Sequence, residues 1–111
     1  METVKRGESL LELKNEKYEM NCSAIIFSRH VFHQMIERNI SDEEVKEVVK
    51  QGEVIKEYPE DKPYKSWLLF KFVKQRPIHV VISKDENGRC IVITAYEPNP
   101  AIWQKDFKTK K

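Results

Sequence analysis

The stretch Arg76-Pro-Ile-His-Val-Val-Ile-Ser83, answered by Cys90-Ile-Val-Ile-Thr-Ala-Tyr96, decides how the rest of the chain is read. Both runs are rich in β-branched residues, and the Asn87-Gly88 pair between them is the strongest short-range hairpin signal. With Asn87 and Gly88 as the central turn residues, pairing runs through Ser83 with Val92, Val81 with Thr94 and His79 with Tyr96. Period-two alternation then assigns Val80, Ile82, Ile91, Ile93 and Ala95 to a face that must be covered. His79, Val81, Ser83, Thr94 and Tyr96 fall on the opposite, uncovered face.

Upstream, Ser66-Trp-Leu-Leu-Phe-Lys-Phe-Val73 reads as the next strand, joined through Lys74-Gln-Arg-Pro77. Pairing Lys71 with His79 sends Leu68, Phe70 and Phe72 to the covered face, whereas the other register buries Lys71 as an unpaired ammonium, which is expensive. The first register is therefore expected, and it sets Lys71, His79 and Tyr96 in a row across three strands. Glu53 to Tyr58 reads as a further strand, and Pro59 to Pro63 as a loop.

The helical signals precede these strands. Ser23-Ala-Ile-Ile-Phe27 is a short β-branched run, and Ser28 is placed to cap a helix with Val31, Phe32, Met35 and Ile36 at helical spacing. Phe27 can staple its start, and His30, Gln34 and Arg38 make an i, i+4, i+8 row along it. Asn39 suits a left-handed terminator, Ser41-Asp-Glu-Glu44 is a capping box, and Gly52 ends the second helix after Val45, Val48 and Val49. A helix from about Glu8 to Lys17 is expected in the charged segment 1–22, and residues 23–111 form one domain. Trp103 and Phe107 are spaced to pin a basic tail onto it.

The chain of 111 residues, 40% apolar and 34% charged, fits one soluble globular domain. No apolar run approaches the ~20 residues of a membrane-spanning helix, and the N-terminus lacks a secretion signal, so a cytoplasmic location without membrane association is expected. Cys22 and Cys90 have no CxxC partner and are expected to be reduced. The net charge of +2 does not by itself call for nucleic acid. Lys71, Lys74, Arg76 and the lysines of the tail nevertheless concentrate positive charge on the sheet and C-terminus. Phosphate-cradling loops, GxSxG, HExxH and paired CxxC patterns are missing from the sequence. His30 and His33 supply only one edge of a metal site, so no metal or other cofactor is expected. His79 is a candidate acid or base, because histidine changes protonation most readily near neutrality. Its bland alternative is a satisfied sheet histidine.

Phe27-Ser-Arg-His30, Met35-Ile-Glu-Arg38 with Ile40-Ser41, and Gly52-Glu53 leading to Tyr58-Pro59 form an ordered motif set. It continues with Pro77-Ile-His-Val-Val81, Ile93-Thr-Ala-Tyr-Glu-Pro98, Trp103 and Asp106-Phe107. In this order and over about residues 25–108, it resembles a bacterial domain-of-unknown-function family that is itself similar to the RelE/ParE-like superfamily of type II toxins. The resemblance implies an α+β fold with two helices packed on one face of a small antiparallel sheet. It also implies a toxin of a toxin–antitoxin pair that cleaves messenger RNA on the ribosome without a metal. Another branch implies inhibition of a protein target such as DNA gyrase, and the small zinc-finger, antitoxin-like protein often encoded beside members of the family implies a third reading, a domain that only binds that partner. His30, Glu37, Arg38, His79, Thr94 and Tyr96 match the family pattern. Val31, Asn39 and Lys108 depart from its usual alanine, glycine and arginine.

On the ribonuclease expectation, His79 acts as acid or base and Tyr96 as proton donor or stacking platform. Arg38 and Lys71 stabilise the phosphate. His30, Thr94 and Arg76 then hold the ligand.

Overall fold

The computed structural model describes residues 20–111, and the helix expected near 8–17 lies outside the described residues. The elements run β1 (Ile25–Phe27), α1 (Arg29–Glu37), α2 (Asp42–Gln51), β2 (Glu53–Tyr58), β3 (Ser66–Val73), β4 (Arg76–Lys84) and β5 (Cys90–Tyr96). Both helices begin as the sequence dictates. The Ser28 hydroxyl accepts from the Val31 amide, and Ser41 and Glu44 close a reciprocal capping box. Phe27 stacks on Phe32 at 5.1 Å across the start of α1, which fixes the angle at which the chain enters the helix. Asn39 takes a φ of 58° and turns the chain into α2. Gly52 serves a different need from the left-handed terminator usual after a helix: its φ is −75°, but an added Cβ would lie 2.3 Å from the Val48 carbonyl oxygen. The close approach of backbone, rather than left-handed geometry, demands glycine there.

The strands form one sheet in the order β1-β5-β4-β3-β2. Its α+β character agrees with expectation, but the expected architecture, two helices on one face of a small antiparallel sheet as in RelE/ParE-like toxins, does not hold. The sheet is mixed, because β1 runs parallel to β5 with Ile25 opposite Cys90 and Phe27 opposite Val92. The helices seat on different strands, α1 on β5 and α2 on β3 and β4. Hairpin turns advertise antiparallel neighbours in a sequence, whereas a parallel neighbour arrives through a long connection and leaves no turn signal.

The β1–β5 pairing also overturns the expectation of reduced cysteines: Cys22, just ahead of β1, is disulfide-bonded to Cys90. Sixty-eight residues apart in sequence, the two are brought together by the parallel strand. The adjoining Ser23 amide donates to the Gly88 carbonyl.

Two registers differ from those expected. In β3–β4, Phe70 rather than Lys71 faces His79, and Lys71 faces Ile78. Leu69 and Val73 consequently join Ile78, Val80 and Ile82 beneath the helices, with Val31, Met35, Val45, Val48 and Val49 above them. The desolvation argument against this register fails because Lys71 is not unpaired: its ammonium lies 2.7 Å from Glu47 of α2 and remains partly exposed. Between β4 and β5 the pairing of His79 with Tyr96 and of Val81 with Thr94 is as expected, but a bulge after Val81 shifts Ile82 onto Val92. Val92 and Cys90 are thereby buried, while Ile93 is exposed. The loop at residues 85–89 is also wider than a two-residue turn. Desolvation acts most strongly and would raise the Asp85 pKa, but its carboxylate accepts from the amides of Asn87 and Arg89, and these hydrogen bonds together with the Arg89 guanidinium hold the pKa below the usual carboxylate range.

The tightest turn lies instead between β3 and β4, where Lys74 and Gln75 adopt φ values of 53° and 69° between the paired Val73 and Arg76. Consecutive left-handed residues are the signature of a type I′ turn, which asparagine and glycine tolerate best. Replacing Lys74-Gln75 by Asn-Gly is expected to stabilise the domain by about 1 kcal/mol, read as a higher midpoint in a denaturant melt. An unchanged or lowered midpoint would mean that the pair is not strained.

The sheet face opposite the helices is not open, as the sequence suggested. Residues 98–111 cross it, folded back on themselves by a bridge between Trp103 and Lys110 and by three donors converging on the Asp106 carboxylate. Trp103 and Phe107 do pin this tail, and beneath it Leu68, Phe70 and His79 are buried.

Candidate functional site at the α1–β5 seam

The structure separates the expected site residues into three groups. Arg76 works as a clamp between elements: its guanidinium donates to the carbonyls of Arg38 and Asn39 and pairs with Glu97, with Glu44 at 3.6 Å. Lys71 pairs with Glu47 on the helical side. Neither belongs to a row with His79.

His79 and Tyr96 lie opposite each other, as their register requires, with ring centroids 5.3 Å apart. Yet His79 is 0% exposed, so it is sealed from solvent. The Phe107 carbonyl, 2.7 Å from Nε2, can only accept, which makes Nε2–H the donor and leaves Nδ1 to accept from the Tyr96 hydroxyl at 3.3 Å. Burial lowers the His79 pKa, partly offset by the Phe107 hydrogen bond, and burial raises that of Tyr96. The pair is a satisfied, neutral packing unit in an aromatic cluster.

A different group reaches solvent. The i, i+4, i+8 row of α1 runs beside β5, where short β1 leaves the later part of the strand without a neighbouring strand on that side. Arg38 Nη1 donates to the Ala95 carbonyl at 2.8 Å, to Thr94 Oγ1 at 3.2 Å and to Gln34 Oε1 at 3.4 Å. Thr94 Oγ1 in turn donates to Gln34 Oε1 at 3.2 Å, and Gln34 Nε2 meets His30 Nε2 at 3.1 Å. Since Gln34 Nε2 can only donate, His30 Nε2 accepts and its proton sits on Nδ1. One side-chain amide thus connects an exposed imidazole to an exposed guanidinium.

All three acceptors of Arg38 are neutral. Among the described residues no carboxylate lies within 4 Å of it and none accepts from its Nε or Nη2. Among the described residues, then, the positive charge is held in place without being neutralised, and it acts on Tyr96 as well, lowering a pKa that burial raises more. A guanidinium edge free in this way matches two oxygens of a phosphate or carboxylate.

Sequence reading therefore found His30, Arg38 and Thr94 but not their centre, Gln34, although the helical row contained it. It also placed His79 on an open face, whereas His79 is buried and His30 is the exposed imidazole. Among the described residues no group of three His, Cys, Asp or Glu side chains is arranged to hold a metal, and no helix is long and apolar enough to cross a membrane.

A family model described as a domain of unknown function, DUF4258, matches residues 27–97, a span that begins just before α1 and ends just after β5. No curated protein and no solved structure matches the chain.

Proposed function

The chain belongs to the DUF4258 family, a domain of unknown function, and from that premise we propose that it is a toxin-type, metal-independent endoribonuclease acting on messenger RNA, with its reacting centre at the α1–β5 seam. The observation that carries this reading is the Arg38 guanidinium, oriented by neutral oxygens with one edge free, one amide away from the His30 imidazole. RNA brings its own nucleophile, so the chemistry needs a base, a cation and a proton for the leaving group.

His30 Nε2 exchanges its Gln34 hydrogen bond for the ribose 2′-hydroxyl and removes that proton as the 2′-oxygen attacks phosphorus. Charge developing on the phosphoryl oxygens meets Nε and Nη2 of Arg38. The bond to the 5′-oxygen breaks, the 5′-oxygen takes a proton from solvent water at this exposed site, and the products are a 2′,3′-cyclic phosphate and a 5′-hydroxyl. Gln34 and Thr94 hold the Arg38 guanidinium in place, and Gln34 releases the His30 nitrogen as the ribose arrives.

The exposed Phe32 and Ile36, four residues apart on α1, favour a second reading in which this helix binds a protein partner such as an antitoxin-like zinc-finger protein or a toxin target. A single-stranded RNA incubated with the full chain in excess EDTA separates the two. Cleavage that His30→Ala abolishes, with an unchanged melting curve, supports the ribonuclease. Intact RNA in an assay where the same chain arrests bacterial growth moves the function to partner binding.

A further inference from the structure

On the far side of the sheet from the seam, β2 and the folded-back tail enclose a cavity of about 250 Å³. Buried Leu68 and Trp103 form its floor, half-buried Ile55 and Tyr58 its sides, and Lys56, Lys108 and Lys110 its mouth. Glu53 matches the charge of Lys108 at 3.1 Å. Lys56 and Lys110 have no carboxylate within 4 Å among the described residues; their ammonium groups rest instead over the Tyr58 and Trp103 rings, each 5.7 Å from a ring centroid.

We infer that this cavity binds a nucleotide, taking the base against Tyr58 and Trp103 and the phosphate between Lys56 and Lys110. The volume lies just below the roughly 300–1,000 Å³ of pockets that enclose a whole small molecule, which suits one flat base with its sugar and phosphate left at the mouth. An apolar lining, aromatic rings and unmatched cations are the three requirements of that ligand class: stacking is indifferent to which base is present, and the cations recognise its phosphate. The two ammonium groups now on ring faces are also the groups a ligand would release. A base stacking on one of these rings displaces the cation there, and the freed cation turns to the phosphate beside it. Ligands bearing charge without a ring, or a ring without charge, satisfy only half of this arrangement.

The site is independent of the ribonuclease reading, and its test follows different signals. In a nitrogen-15 spectrum of the full chain, with the two indole signals assigned by Trp67→Phe, adenosine 5′-monophosphate is expected to shift the Trp103 indole saturably. Adenosine and inorganic phosphate are each expected to bind at least about tenfold more weakly, a difference of about 1.4 kcal/mol. The double variant Lys56→Gln with Lys110→Gln, both exposed, should lose at least that factor for the nucleotide and keep the adenosine affinity. Tighter binding of a short oligoadenylate than of the mononucleotide identifies the source as an RNA strand, and the reverse order identifies a free nucleotide. The inference is overturned if millimolar nucleotide leaves Trp103 unmoved, if shifts gather only around His30 and Arg38, or if the double variant binds the nucleotide as tightly as the parent.

Discussion

His79→Ala is expected to destabilise the domain by about 3–5 kcal/mol, the upper range for truncating a large buried side chain. The imidazole fills the space between Phe70, Tyr96 and Trp103, whose ring centroids lie 5.6, 5.3 and 4.6 Å from its own. Its loss also strips the Phe107 carbonyl of its donor and the Tyr96 hydroxyl of its acceptor, and a buried polar group left unpaired costs about 1–3 kcal/mol. The same burial sets a pH dependence. The folded-state pKa of His79 lies below its ordinary value, so the unfolded chain takes up the proton first as pH falls. The contribution is therefore complete above the unfolded value of about 6.5 and drains away below it, by at most about 1.4 kcal/mol per pH unit, until the folded-state pKa is passed. Denaturant melts across this window should show that slope in the parent and lack it in His79→Ala. A variant that melts with the parent would mean that the tail does not seal this face. His79→Leu, which keeps the volume, should recover part of the stability and retain the RNA cleavage proposed for the seam, a proposal in which His79 has no part.

Local chemistry made the helices legible: Ser28, Ser41, Glu44 and Asn39 each act within a few residues of themselves, and all four do what their side chains dictate. The β4–β5 pairing was legible only as far as the bulge, since nothing in Ile91-Val-Ile93 distinguishes the β-branched residue that loops out from its neighbours. The β3–β4 register was misread for a different reason. The alternations Leu68, Phe70, Phe72 and Trp67, Leu69, Lys71, Val73 are apolar but for Lys71, and all of these residues but the exposed Phe72 are buried at least in part, because helices cover one face and the tail covers the other. With both faces covered, alternation no longer identifies the solvent side, and the one charge that seemed to break the tie, Lys71, finds Glu47 from an element distant in sequence. The expected exposure of His79 failed for the same cause. His79 belonged to an open face only while residues 98–111 were free of it.

Arg38→Lys is expected to lower RNA cleavage by about 100- to 1,000-fold, some 2.7–4 kcal/mol of transition-state stabilisation, while moving stability by no more than about 1 kcal/mol. The asymmetry follows from how the guanidinium divides its work. Nη1 secures the side chain on the buried Ala95 carbonyl, Thr94 and Gln34, whereas Nε and Nη2 make no hydrogen bond to the described residues. A lysine ammonium can make the inward bond to the carbonyl and so hold α1 against β5. It is a point donor, however, and cannot at the same time present a second, planar edge to two phosphoryl oxygens. A role confined to the C-terminal end of α1 would be filled equally well by either cation, since the helix dipole distinguishes charge and not shape. Single-turnover cleavage measured beside a thermal melt therefore decides between them: parental activity in the lysine variant reduces Arg38 to a capping cation, and a large loss at constant melting temperature leaves the free edge as the part that matters. Addition of free guanidinium to Arg38→Ala should restore some cleavage for the same reason, because the vacated position between Ala95 and the phosphate is shaped for a planar cation.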